Sequence, residues 1–90
     1  MNLEALQEIY QANKERFQSP KSFYDFLMWQ IQSHLVEVDD LKQNGDQHYI
    51  KEIADIAILA KLLAMSEGVD DEIFQERYKR FMEKVKESMC

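Results

Sequence analysis

Four acids in this chain have the type and spacing to do chemistry. In "IKEIADIAIL", residues 50–59, Glu52 and Asp55 sit among Ile50, Ile53, Ala54, Ile56, Ala57, Ile58 and Leu59. A helix that is apolar nearly all round is normally buried. Carboxylates are almost never buried unless they are paired or bound to metal. These two therefore either line a thin wet edge or meet something positive. On a helix they stand about 60° apart at 100° per residue. Leu59, Leu62, Leu63 and Ser66 continue their side, whereas Lys51 and Lys61 mark another.

Glu37 and Asp40 repeat the same three-residue spacing, and Phe26, Trp29, Gln30 and Ser33 share their side of the preceding segment. "QNGD" at 43–46 reads as a tight turn. Folding the chain back there sets Glu37 level with Asp55 and Asp40 level with Glu52, in two tiers about 4.5 Å apart. Four such carboxylates would repel, and some would have to take up protons. A divalent cation resolves the conflict, and an all-oxygen set suits Mg²⁺ or Mn²⁺ better than Zn²⁺. Mg²⁺ keeps waters and shares its coordination with phosphates, which places phosphoryl chemistry first.

Positioning these acids requires helices. Two Gly, one Pro, no Thr and no alternating Val/Ile runs in 90 residues predict an all-α, single-domain chain over 1–90. The first helix is expected from about 3 to 17, with Leu3, Leu6, Ile9, Tyr10 and Phe17 on one face. Ser19 caps and Pro20 opens a second helix to about Lys42, whose main apolar face is Leu27, Met28, Ile31, Leu35, Val38 and Leu41. Asp46 is placed to cap the third helix, which ends at "SEGVDD" with Gly68 in the left-handed position. Asp70 or Asp71 caps a fourth, striped by Phe74, Tyr78, Phe81 and Val85. Short loops make sequential helices antiparallel neighbours, so the expected architecture is a four-helix bundle. A core this small suggests completion by a second copy.

The net charge of −6 argues against nucleic acid as a partner. "MNLEALQEIY" lacks the pattern of a secretory signal, and no apolar run is long enough for a membrane span. Cys90 has no partner for an internal disulfide and no evident base to make it a nucleophile. The cytoplasm is the expected location.

At "LVEVDDL" and "EIADIAI" the chain resembles the MazG-like, all-α nucleoside triphosphate pyrophosphohydrolases. Their signature is Glu-Glu-x-x-Glu on one helix and Glu-x-x-Asp on the next. Glu52 and Asp55 match the second part, and Glu37 and Asp40 match the first. The likeness extends to "SPKSF" and "SEGVDDEIF". Val36 stands where the family has its first Glu, Asp40 where Glu is usual, and the fourth helix lacks the family's Asn. The resemblance implies hydrolysis of a nucleoside triphosphate to monophosphate and pyrophosphate in a MazG-type fold. It further implies Mg²⁺ held by Glu37, Asp40, Glu52 and Asp55, with Glu37 or Glu52 orienting the attacking water. A homodimer or homotetramer would place sites near subunit contacts. Phe26 and Trp29 are placed to stack on the base, with Gln30 and Ser33 beside them, and Arg77 or Lys84 to meet phosphate.

Blander roles compete for each residue. The acids could be surface charge at helix ends, the two aromatics core or interface, and the bases of the fourth helix (Arg77, Lys79, Arg80, Lys84, Lys86) a solvated face. His34, one turn before Glu37, could join a site but reads first as a polar edge residue, His48 reads as a bystander, and Asp39 points away. Val36 and the missing Asn leave open a non-catalytic relative that binds a nucleotide or a protein. Phosphoribosyl-ATP pyrophosphohydrolase is a sibling activity within the same resemblance.

Overall fold

The computed structural model describes residues 1–89; Cys90, whose thiol was considered above, lies outside the described residues. The chain is all-helical: α1 spans Leu3–Arg16, α2 Pro20–Gln43, α3 Tyr49–Ser66 and α4 Asp71–Met89. Among the described residues there is no strand, and no helix is long and apolar enough to cross a membrane.

Local chemistry explains the boundaries. Asn2 caps α1 by accepting the Ala5 N–H at 3.0 Å. Ser19 accepts the Ser22 N–H, Ser22 answers toward the Ser19 N–H, and Pro20 occupies the first turn of α2. Both ends of the α2–α3 helix pair use glycine. Gly45 (φ 72°) and Gly68 (φ 74°) adopt left-handed backbone. Asp46 then donates to the Leu41 carbonyl and Val69 to the Ala64 carbonyl, both at 2.9 Å, satisfying carbonyls that the helix leaves free. Asp70 caps α4 through the Ile73 N–H at 3.0 Å. Asp46 departs from expectation: its carboxylate accepts the His48 N–H at 2.9 Å, two residues on, and α3 begins only at Tyr49 with no side-chain cap.

α2 and α3 form the main antiparallel pair, and α1 packs against both. The buried core is Leu6, Phe23, Leu27 and Leu62, surrounded by Tyr10, Phe17, Phe26, Ile58, Leu59, Leu63 and Met65. Phe17 stacks on Phe23 at 5.5 Å between centroids and tilts against Phe26 at 4.9 Å. The inward stripe of α2 is thus Phe23 and Leu27. Leu35, on the face expected to be the main one, is 53% exposed.

α4 packs along none of the other helices among the described residues. Lys61 Nζ sits 4.5 Å above the Phe74 ring and ties α3 to the first turn of α4. Beyond that turn the expected stripe is present but uncovered, with Tyr78, Phe81, Met82 and Val85 all at least half exposed. The chain therefore packs three helices together and extends the fourth.

Candidate functional site

Glu52 is the one buried charged side chain among the described residues, only 7% exposed. It rises from the first turn of α3 and is met from two sides. His34, on α2, donates from Nδ1 to Glu52 Oε2. His48, immediately before α3, places Nε2 3.3 Å from Glu52 Oε1. The hydrogen bond from His34 is the largest influence on the Glu52 carboxyl and holds it below its usual range. Burial opposes this, while a hydrogen-bonding contribution from Glu37 and the charge of the two imidazoles reinforce it.

Glu37 completes the group. Donor atoms of His34, Glu37 and Glu52 all lie within 4.8 Å of one another, with His34 half-buried and Glu37 exposed. Beside them runs a groove of about 300 Å³, at the small end of ligand pockets. Phe26, Gln30 and His34 form its α2 wall, Asp55, Ile58 and Leu59 its α3 wall, and Ile9 and Asn13 of α1 its rim.

The four carboxylates are thus divided. Glu37 and Glu52 come together, Asp55 is half-buried in the groove wall, and Asp40 is exposed and outside the cluster. Azimuth explains the difference. Measured round α2 from the fully buried Leu27, His34 lies about 20° away, Glu37 about 80° and Asp40 about 140°. Counting from the turn sets Asp40 level with Glu52, but Glu52 meets His34 and Glu37 instead, so Asp40 lies nearer the turn as well as facing outward. The imidazole one turn earlier takes the inward position, so the three-residue pair opposite Glu52 and Asp55 is His34 and Glu37.

Of the other candidates, Gln30 and Phe26 line the groove, and Phe26 also packs against the core under Arg16, 5.2 Å from its ring. Ser33 is half-buried but does not line the groove, and Trp29 is 63% exposed. Arg77 and Lys84 are exposed on α4, away from the groove. Residue types alone did not single out His34. Its signal is the seven-residue spacing from Leu27, which returns to the same helix face. His48 and the α1 rim carried no comparable mark.

The donor set can be tested against the expected ion. Metal–ligand distances of about 2.0–2.2 Å allow donors on opposite sides of an ion to stand about 4.3 Å apart. For the three donors to share one ion, the His34–Glu52 contact must open to the spacing of adjacent ligands while Glu37 closes in. The fit is to a divalent ion with one imidazole, rather than to the all-carboxylate set expected for Mg²⁺. Compared with known proteins, the chain matches no family model, no curated protein and no solved structure.

Proposed function

We propose that the α2–α3 edge is the site of a nucleoside triphosphate pyrophosphohydrolase that releases monophosphate and pyrophosphate. The observation that carries this is the convergence of His34, Glu37 and Glu52 beside the groove that holds Asp55. A divalent ion held by those three residues would offset phosphate charge in the transition state. Glu37 is exposed at the cluster's outer edge and is the carboxylate available to accept a proton from water. The water oxygen forms a bond to the α-phosphorus, the bond from that phosphorus to the bridging oxygen breaks, and pyrophosphate leaves. Glu52, kept ionised by His34, maintains negative charge at the cluster and orients both imidazoles. Phe26 and Leu59 offer apolar wall to a base, and Gln30 offers an amide to its edge.

The same proposal includes a second copy of the chain, in a dimer or tetramer. The α4 stripe beyond Phe74 and the outward Trp29, Leu35, Val36, Ile50 and Ile53 are all exposed in one copy. An isolated helix of this length is marginal in water, so α4 needs a surface to pack on. Residues 71–90 balance their charges, with five bases between Arg77 and Lys86, so the net −6 resides on residues 1–70. A neutral α4 can approach the acidic remainder of another copy without adding like charge, which favours another copy as the cover. Such a cover also gives Arg77 and Lys84 a route to phosphate, from the partner's side. Phe81→Glu is expected to shift the sedimentation profile from dimer or larger to monomer. An unchanged profile would remove α4 from the interface.

Pyrophosphate release from a panel of canonical and modified nucleoside triphosphates, with divalent metal supplied, tests the activity. Turnover of at least one nucleotide is expected, and no release from any would refute hydrolysis. A non-catalytic nucleotide-binding module is the second possibility. The observation favouring it is that both oxygens of Glu52 already face imidazole partners, as in a structural lock. Nucleotide binding by calorimetry without turnover would establish that alternative.

A further inference from the structure

We propose that His34 makes the α2–α3 site selective for first-row transition ions of the Mn²⁺, Co²⁺ and Zn²⁺ class over Mg²⁺. The inference rests on the proposal that this cluster holds a divalent ion, and it adds the identity of that ion.

Three features support it. First, the donors that converge are one imidazole and two carboxylates, His34, Glu37 and Glu52. Imidazole suits transition ions, whereas Mg²⁺ prefers oxygen and gives up water reluctantly. Second, the His34 ring is fixed on the inward face of α2, half-buried, with Nδ1 directed at Glu52 Oε2. That nitrogen and oxygen already face each other, and an ion entering between them takes both as donors once they part to the spacing of adjacent ligands. Mg²⁺ gains less from this pair because it binds the nitrogen weakly. Third, the outward position of Asp40 removes the oxygen that would complete an all-carboxylate set. Asp55 lines the same groove as His34 and, as a further carboxylate, would favour a site of mixed nitrogen and oxygen character.

The test uses the whole chain carrying Cys90→Ser, so that the lone thiol binds no metal, and it uses metal ions alone without nucleotide. Calorimetric titration should give affinities rising from Mg²⁺ through Mn²⁺ to Co²⁺ and Zn²⁺. Electron spin-echo spectroscopy of the Mn²⁺-loaded protein should show a directly bound imidazole nitrogen. His34→Glu should abolish that nitrogen signal and reduce the Co²⁺-to-Mg²⁺ affinity ratio by about tenfold or more. His34→Gln, which adds no charge beside Glu52, should also lose the nitrogen signal and covers the case in which His34→Glu does not fold. Equal affinity for Mg²⁺ and Co²⁺ overturns the proposal. So does a Mn²⁺ spectrum without nitrogen coupling, or a nitrogen signal that survives in the His34 variants. A chain that binds Mn²⁺ through His34 yet cleaves no nucleotide keeps this inference and refutes the hydrolase. Hydrolysis with Mg²⁺ preferred and no nitrogen bound does the reverse.

Discussion

Glu52→Gln is expected to lower pyrophosphate release by about 100-fold or more while leaving the helices intact, since removing a carboxylate at a metal site costs at least as much as disturbing its supporting shell. The side chain keeps its shape and one acceptor oxygen but loses its charge. One of its two ends then presents an amide N–H₂ to an imidazole, where a carboxylate oxygen had faced His34 Nδ1 or His48 Nε2. The imidazole of His34 can answer only by giving up its Nδ1 proton, which turns the ring's other nitrogen into the donor. Glu37 is already committed to the ion and Asp40 points outward, so only Asp55 of the groove wall is left to offset part of the lost charge. Initial rates of pyrophosphate release with a saturating divalent ion check the effect, with far-ultraviolet circular dichroism confirming the helices. If Glu52→Gln retained more than about a tenth of the wild-type rate, Glu52 could not be a metal ligand in the reaction.

Helix boundaries were legible because they rest on local chemistry that residue type reveals directly. Ser19 before Pro20, Gly68 after Ser66 and Asp70 before α4 each do in the fold what their type predicts. The acids at Glu37 and Glu52 were legible for a related reason: a charge set into an apolar helix must have some partner. What the partner would be was less so. Counting positions from the turn gives only a nominal height along two antiparallel helices, here missed because Glu52 meets His34 and not Asp40, and it does not give the direction in which each side chain leaves its helix. That direction is fixed only by the residue that becomes most buried. Leu27 holds that place, because Phe23 and Leu27 meet α1 and α3 together. Once it does, His34 follows on the inner face and Asp40 is carried outside. The expected apolar face of α2 was a broad one, with Leu27 and Val38 about 20° apart and Leu35 about 80° from Leu27, and the types do not say which edge of it turns inward. Composition alone could not rank the edges. The choice depended on α1, whose Leu6 and Tyr10 come from distant positions in the chain. α4 shows the same limit: its amphipathic stripe is plain in the sequence, yet what covers the stripe is a tertiary or quaternary matter.

Leu27→Ala is expected to be the most destabilising single truncation in the chain. Leu27 is fully buried, at 0% exposure, in a core that among the described residues holds three other buried apolar side chains. Leucine-to-alanine changes at such positions cost about 2–5 kcal/mol, from lost transfer energy together with the cavity left behind. A domain of this size has only about 5–15 kcal/mol in total, and each kcal/mol moves the melting temperature by about 4–8 °C. A 3 kcal/mol loss therefore lowers the midpoint by roughly 12–24 °C. Thermal denaturation followed by circular dichroism measures this, with Trp29→Ala as the contrast. Trp29 is on the same helix but 63% exposed, so its truncation should move stability by about 0.5 kcal/mol or less in a monomer. If Trp29 is covered by a second copy, its effect should grow with protein concentration, whereas that of Leu27 should not vanish at any concentration. Leu27 also forms the floor of the groove below His34, so the same truncation should loosen the cluster before the helices melt. In hydrogen exchange, the amides around His34 should lose protection at temperatures where those of α3 near Leu62 still retain it. A Leu27→Ala protein with an unchanged midpoint would mean that the Leu6–Phe23–Leu27–Leu62 cluster does not hold α1 to the α2–α3 pair.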